Sequence, residues 1–401
     1  MFNDKDLYEI GETPPLGQTP KYMYAQVIRK ERYGDPLNAF KIEVVDTPEI
    51  KEDEILIWVM TAGVNYNNIW AANGTPIDVI NMHQKDDVLQ NFHIGGSDCA
   101  GIVWKIGRSI KTRRVGDEVI VSCGIYNEDN KNLTHDKSEF KIWGYEKNFG
   151  AFGQFSVVKE YQCFNRPKNL SWSESGCFLL TAATAYRQLM HWKPNTLKKG
   201  TPVLIWGGAG GLGTMALQLC RAYEADAVAV VSSLIKAEWC RENGAVGVLN
   251  RMDFPYLSLK ADADSFDSTE RKRGYVKFRK SYYQQLGRKE LPEIVFEHTG
   301  QLTIDTSLYM CNPGGMVVTC GATSGYNCNF DVRYLWCLHK RIQGSHFASI
   351  DNCSDVIKLV ERGLINSGLT KIYTFDQIGI AHQALLESSS IGNLAIKINC
   401  L

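Results

Sequence analysis

Apolar residues follow two different rhythms along this chain. Between about Tyr24 and Cys177 they fall into short runs separated by turn residues: Glu54-Ile-Leu-Ile-Trp-Val-Met60, Gly101-Ile-Val-Trp-Lys-Ile106, and Glu118-Val-Ile-Val-Ser122 after the Val115-Gly-Asp117 turn. Strands this closely spaced predict a compact β-rich domain. From about Leu179 the rhythm changes to apolar strands alternating with amphipathic helices. Leu180 to Met190 predicts a helix, while Val203-Leu-Ile-Trp206, Ala227-Val-Ala-Val-Val231, Ile294-Val-Phe-Glu297 and Met316-Val-Val-Thr-Cys320 predict strands of a doubly wound α/β sheet. Phe254 to Glu290 is polar and strongly charged, with Arg271-Lys-Arg273 and Lys277-Phe-Arg-Lys280. It reads as an insertion of exposed helix rather than core, its basic cluster either a solvated surface or a phosphate-binding one. After His346 short elements return, and the alternating Leu394-Ala-Ile-Lys-Ile-Asn-Cys400 is a strand able to rejoin the N-terminal domain. The expected domains are therefore 1–178 with 345–401, and 179–344 with an insertion at about 254–290. The chain has no internal repeat and no low-complexity segment.

Where the first strand of the α/β sheet breaks, Gly208, Gly210 and Gly213 form a G-x-G-x-x-G that opens the amphipathic stretch Met215-Ala-Leu-Gln-Leu-Cys220. Backbone amides in such a turn, those of Gly211 and Leu212 included, can approach a dinucleotide pyrophosphate at a helix N-terminus. The motif by itself is common in glycine turns. A strand before it, a helix after it and a second strand at βαβ distance make it a dinucleotide site. That second strand ends in Ser232-Ser233, where an NAD-selective site carries an acid for the ribose hydroxyls. With no acid to repel a 2′-phosphate, Lys236, and Arg251 after Val246-Gly-Val-Leu249, can supply cations for it, so NADPH is expected. The plainer reading makes Lys236 part of a solvated helix face and Arg251 a loop charge. His298, directly after the Ile294–Glu297 strand, joins the cofactor-binding candidates.

The 401 residues suffice for two domains with a sizeable core, and 44 basic residues cancel 44 acidic ones. That balance asks for neither nucleic acid nor an anionic membrane. No apolar run nears bilayer length, and Met-Phe-Asn-Asp-Lys-Asp at the start lacks a basic n-region followed by an apolar h-region, so a soluble cytoplasmic protein is expected. The twelve cysteines are scattered without a C-x-x-C pair, which points to buried small hydrophobes rather than a disulfide framework or a zinc lobe.

A β-rich domain followed by a Rossmann domain with Gly-Gly-Ala-Gly-Gly-Leu-Gly resembles the medium-chain dehydrogenase/reductase superfamily. Its zinc alcohol dehydrogenases place Gly-His-Glu near the Gly96-Ser97-Asp98 of this chain, and a Cys near Asn65, so the resemblance is to the zinc-free branch and implies no metal. The fold it implies is a GroES-like β-rich catalytic domain plus a doubly wound Rossmann domain. Four further segments narrow it: Asp6 to Gly17, Ala62-Gly-Val-Asn-Tyr-Asn-Asn-Ile-Trp70, Ile142-Trp-Gly-Tyr-Glu146 with Gly150-Ala-Phe-Gly-Gln-Phe155, and Lys340-Arg-Ile-Gln-Gly-Ser-His-Phe347. Together they resemble the crotonyl-CoA carboxylase/reductases over essentially the whole chain.

That resemblance implies an NADPH-dependent reductive carboxylation of crotonyl-CoA or a longer 2-enoyl-CoA with carbon dioxide, to an alkylmalonyl-CoA such as ethylmalonyl-CoA. It puts the carbon dioxide pocket on Asn67, Tyr145, Glu146 and His346. Asn67 donates an N–H to the carbon dioxide, Glu146 and His346 hold a water, and Tyr145 screens the enolate. Asn65 and Asn68 remain alternatives to Asn67. Taken singly, such residues are commonly an Asx-turn Asn, a surface Glu and a core His. The resemblance further implies that Arg333 and Tyr334 contact the nucleotide end of the acyl-CoA, with Lys277 and Arg279 as softer candidates, and that the chain forms a homo-tetramer of paired dimers. A non-carboxylating enoyl-CoA reductase and a non-catalytic NADPH-binding structural protein are the competing readings. Acyl chain length stays open.

Overall fold

The structure, a computed structural model, describes residues 5–86, 90–126, 140–258 and 268–400. The first four residues, read above for a leader, and residues 259–267 of the expected insertion lie outside the described residues. Two compact units result: Met1–Leu180 with Ser349–Glu361 and Ser367–Leu401, and Thr181–Ala348 with Arg362–Asn366. The sequence reading draws its borders at 178 and 345 and gives residues 362–366 to the first unit.

The first unit begins with β1 (Tyr22–Arg29), β2 (Lys41–Asp46), β3 (Glu54–Gly63), β4 (Phe92–Ile94), β5 (Cys99–Ile106), β6 (Glu118–Val121), β7 (Gly124–Tyr126), β8 (Phe140–Ile142), β9 (Phe155–Lys159) and β10 (Cys163–Asn165). β1 sits between β2 and β4 in a small antiparallel sheet. β3 is an inner strand of the larger sheet, with β5 along one edge and β9 along the other. Both its faces are covered, which explains why Ile55 to Val59 is apolar without alternation. Trp58 fills the space beneath, 5.3 Å from Trp104 and 4.7 Å from Phe155.

The second unit holds β11 (Pro202–Trp206), β12 (Asp226–Val231), β13 (Ala245–Asn250), β14 (Ile294–Glu297), β15 (Met316–Thr319) and β16 (Arg341–Gly344) in one parallel sheet ordered β13-β12-β11-β14-β15-β16. The order reverses at β11, so the carboxyl ends of β11 and β14 flank the switch point where doubly wound sheets bind ligands. The helix Gly211–Ala222 buries every residue from Gly213 to Cys220, as a helix lying wholly in the core must. The chain then returns to the first unit with β17 (Leu369–Tyr373) and β18 (Asn393–Lys397), and β18 pairs antiparallel with β3.

The charged segment departs from the sequence reading. Its helix Thr269–Leu286 is core, burying Arg271, Tyr275, Phe278, Tyr282 and Leu286 on one stripe. Phe278 lies 5.6 Å from Trp206 of β11 and 4.9 Å from Phe254, ring to ring. Composition hid this because the stripe is three aromatics, one leucine and an arginine, set against an outer face rich in lysine and arginine. Buried Arg271 is itself neutralised by Asp305, whose Oδ2 also accepts the Tyr275 hydroxyl at 2.8 Å. Cysteines such as Cys99, Cys177 and Cys220 are buried as expected, and burial pushes the Cys163 thiol up to about 12, away from nucleophilic use.

Candidate active site

At the end of β11 the chain turns through Gly207, whose φ of 58° is left-handed. A Cβ on Gly208 would lie 2.7 Å from that of Ala229, and one on Gly213 would collide with the Gly207 carbonyl. Those two glycines let turn, strand and helix pack together. Gly210 differs, for a Cβ there meets nothing nearer than the Gly207 carbonyl at 3.6 Å. It is the N-cap of the helix Gly211–Ala222 and offers no side-chain cap, so the amides of Gly211, Leu212 and Gly213 have no acceptor within the helix. A bound pyrophosphate would accept from them, so the residues present fit a dinucleotide.

The groups around this turn divide. Ser233 caps the helix Leu234–Glu242 by accepting the Lys236 amide, a structural use of that hydroxyl, while Ser232 stays partly exposed. Lys236 is half-buried and Arg251 exposed. Burial lowers the Lys236 pKa and the Arg251 charge lowers it further. His298 braces the turn. Its Nε2 donates to the Trp206 carbonyl at 3.0 Å, and its ring stands where a Gly207 Cβ would be, 2.8 Å away. Burial lowers its pKa against the opposing charge of Glu297.

Glu297 is a residue that the sequence reading left as a strand end. It is fully buried, and its Oε1 accepts the amides of His298, Thr299 and Gly300 at 3.0, 2.7 and 3.1 Å and the Thr303 hydroxyl at 2.9 Å. Its Oε2 accepts Ser307, whose Oγ accepts the Trp206 indole at 2.8 Å. A buried carboxylate so supplied with donors locks the His298–Gly300 loop to the end of β11. Its sequence signal was an acid closing an apolar strand at the carboxyl edge of the sheet.

In the first unit, Asn67 opens the helix Asn67–Asn73 and donates from Nδ2 to Ser97 Oγ at 2.8 Å. The Tyr145–Glu146 turn follows β8. Gly144, at φ 71°, leaves no room for a side chain against the Gly96 carbonyl, and a Cβ would be 3.1 Å from the Ser97 nitrogen. The turn is thus drawn onto the Gly96–Ser97 segment that holds Asn67. Tyr145 is buried with its ring 6.4 Å from Trp70, one helical turn beyond Asn67. Glu146 Oε2 accepts the Ile142 amide at 2.8 Å, and burial raises the pKa of this carboxyl despite that bond. Asn65 and Asp98 are buried nearby, and the Asp98 pKa is driven well up by burial, with the Leu180 amide donating to its Oδ2 at 3.3 Å. Among the described residues no group of three His, Cys, Asp or Glu side chains is placed to hold a metal ion. His346 belongs to the second unit, on the segment after β16. Partial desolvation lowers its pKa, and the charge of buried Arg187 lowers it further.

Two of the four acyl-CoA candidates meet on one ring. Tyr334 packs 5.5 Å from Tyr309, and the Arg279 guanidinium lies 5.5 Å from the same Tyr309 ring. Arg333, next to Tyr334 in sequence, is exposed and bidentate to Asp331, holding that carboxyl below its usual range. Lys277 is on the opposite flank of the helix, over Phe254 and bonded to the Asp253 carbonyl at 2.7 Å. Tyr309 was missed because an aromatic in a short helix carries no site signal in sequence.

Comparison with known proteins places this architecture among its relatives. Residues 51–168 match the family described as alcohol dehydrogenase GroES-like domain, and residues 211–362 the one described as zinc-binding dehydrogenase. The chain is 42% identical over 399 residues to the crotonyl-CoA carboxylase/reductase of Cereibacter sphaeroides, covering 98% of this chain and 92% of that protein. It is 36% identical over 388 residues to the crotonyl-CoA reductase of Streptomyces avermitilis, covering 93% of this chain and 85% of that protein. The solved structure of the crotonyl-CoA carboxylase/reductase AntE in complex with NADP superposes with a TM-score of 0.93 at 45% identity over 99% of both chains. That of the 2-octenoyl-CoA carboxylase reductase CinF with NADP and 2-octenoyl-CoA gives 0.86 at 32% identity over 95% of this chain and 88% of that one.

Proposed function

The chain belongs to the crotonyl-CoA carboxylase/reductases, and we propose that within that chemistry Asn67, Tyr145, Glu146 and His346 direct the reduced substrate towards carbon dioxide rather than a proton. The enzyme reductively carboxylates an α,β-unsaturated acyl-CoA, with NADPH as the reductant. When bound, NADPH supplies the hydride taken up by the β-carbon of the enoyl thioester. The electron pair of the double bond then resides on the α-carbon and thioester oxygen, and a new C–C bond from the α-carbon to carbon dioxide gives an alkylmalonyl-CoA.

The observation that carries the reading is the Asn67 side chain, held by Ser97 on the segment that also receives the Tyr145–Glu146 turn. Its N–H donates to a carbon dioxide oxygen as charge develops there, a preorganised dipole that needs no rearrangement during the step. Tyr145, buried against Trp70, keeps bulk water from the carbanionic carbon. Glu146, anchored by the Ile142 amide, holds water in place, and so does His346, whose charged form the nearby Arg187 disfavours. The amides of Gly211 to Gly213 take the pyrophosphate of the cofactor, and Lys236 and Arg251 its 2′-phosphate. Arg279, Tyr309, Arg333 and Tyr334 receive the nucleotide end of the CoA. The resemblance adds that the chain works without metal, as a cytoplasmic homo-tetramer; among the described residues no helix is long and apolar enough to cross a membrane.

The test is to incubate the protein with NADPH and crotonyl-CoA, with and without dissolved carbon dioxide, and to weigh the products. Ethylmalonyl-CoA is expected with carbon dioxide and butyryl-CoA without it. A product that stays butyryl-CoA in both arms would make the protein a plain enoyl-CoA reductase. Longer 2-enoyl-CoAs in the same assay measure the size of the acyl pocket.

A further inference from the structure

The neighbours of Asn67 decide which of its hydrogens is free, and we infer that Asn68 and Ser97 are positioning residues that fix its side-chain amide with one N–H left for carbon dioxide. The inference rests on the role proposed above for Asn67.

The backbone N–H of Gly96 can only donate, so the Asn68 atom 2.9 Å from it is Oδ1, and the far end of that amide is the NH2. That NH2 donates at 3.0 Å to Asn67, so the atom receiving it is Asn67 Oδ1. The Asn67 NH2 therefore faces Ser97, donates one hydrogen to Oγ at 2.8 Å and keeps the other. Turning Asn68 over would set donor against donor at Gly96 and acceptor against acceptor at Asn67, and turning Asn67 over would set donor against donor at Asn68, while the Ser97 hydroxyl adapts to either orientation. The orientation of Asn67 is thus written by a backbone amide two links away, not by its own rotamer preference.

Packing makes the relay rigid. Asn68 and Ser97 are fully buried. Gly95 leaves the room Asn68 needs, since a Cβ there would collide with its Oδ1. The Gly96 carbonyl accepts the Ala151 amide at 2.9 Å, and Gly95 and Ile94 likewise receive Phe152 and Gly150 at 2.9 Å, so the relay is anchored to the loop that carries Glu146. Asn68 touches no substrate in this scheme and acts only through Asn67.

The decisive variant is Asn68→Asp. It keeps shape and the acceptor for Gly96 but replaces the donor facing Asn67 by an acceptor. Asn67 then reverses its amide and presents a lone pair where it had offered an N–H. We expect the ratio of ethylmalonyl-CoA to butyryl-CoA to fall by about tenfold, the loss of one charge-assisted hydrogen bond, and to fall more than the rate of NADPH consumption. A protonated carboxyl regains a donor, so the ratio, taken relative to the unaltered protein at the same pH, should recover as pH falls. General damage to the fold would not recover. Ser97→Ala removes a restraint but leaves the Asn68 contact, so it should lower the ratio less; this variant keeps the idea testable if Asn68→Asp does not fold. Asn67→Ala separates the two claims. If it lowers the ratio while Asn68→Asp and Ser97→Ala both leave it unchanged, the relay is wrong. Should Asn67→Ala leave the ratio unchanged, the role of Asn67 and the relay fall together.

Discussion

Replacing Lys236 and Arg251 by alanine, singly and together, should erode the preference for NADPH over NADH. A hydrogen bond to a charged group contributes about 1.5–3 kcal/mol, the upper part of that range applying where water is excluded. Lys236 is half-buried, so its loss should raise KM for NADPH roughly 10- to 100-fold at about 1.4 kcal/mol per decade. Arg251 is exposed, where such pairs contribute about 1 kcal/mol or less, so a few-fold rise is expected. Both charges are proposed to bind one phosphate, so the double variant should fall short of the sum. The pH dependence follows from burial and Arg251 together lowering the Lys236 pKa. Below that pKa the ammonium is charged and binds; as pH rises through it, earlier than for an ordinary lysine, the preference for NADPH fades. In Arg251→Ala the fade should move to higher pH, because one of its two causes is gone. The assay is the ratio of kcat/KM for NADPH and NADH in crotonyl-CoA-dependent oxidation across alkaline pH. An unchanged ratio in the double variant would refute the assignment of both cations.

Glu146 is held by the Ile142 amide but its pKa is raised by burial, so it should take up a proton at higher pH than an exposed glutamate as pH falls. The carboxylated fraction of product, measured at constant dissolved carbon dioxide, should therefore drop on the acid side, and Glu146→Gln should give a low fraction at all pH; a flat profile in the unaltered protein would count against the role. Phe278→Ala, within the segment whose composition reads as exposed, should cost about 3–5 kcal/mol in urea unfolding as a fully buried aromatic does. Lys280→Ala, two residues on, should stay within about 0.5 kcal/mol, and equal effects of the two would show that the helix is not core.

The parts legible in sequence were those whose signal is local. β14 spans the same four residues, Ile294 to Glu297, that the apolar run marked, and β3 extends the predicted Glu54–Met60 by only three. A two-residue or 3.6-residue period is written in consecutive positions, so it can be read without partners. The helix Thr269–Leu286 failed that reading because its buried stripe is built from tyrosines and an arginine, whose burial depends on Asp305 some thirty residues away in sequence. The bracing role of Glu297 was hidden for the same reason. Strand position says where it lies, but five donors from the next ten residues decide what it does. Tyr334 and Arg279 meet on Tyr309 while Lys277 does not, and a count of basic residues cannot separate them.

Glycines explain why two distant pieces of chain could be read unequally. In the second unit Gly208 and Gly213 permit a strand, a turn and a helix that are adjacent in sequence to close on one another, so glycine spacing together with its flanking elements reveals the site. The first unit uses the same physical device without the spacing. Gly95 and Gly96 follow β4, Gly144 follows β8 and Gly150 lies six residues later, and a Cβ on Gly144 or Gly150 would run into the backbone of Gly96 or Gly95. Both places need backbone at contact distance because main-chain amides and carbonyls are the only polar groups whose position carries no rotamer entropy. At the dinucleotide turn those amides would meet the ligand directly. Beside Asn67 they act one step removed, through Asn68 and Ser97, on a side chain that in the role proposed for it presents a single donor to a weakly polar gas. Asn67 therefore has a rigidity that its own short side chain could not supply, and enlarging Gly144 should disturb it as surely as altering Asn68.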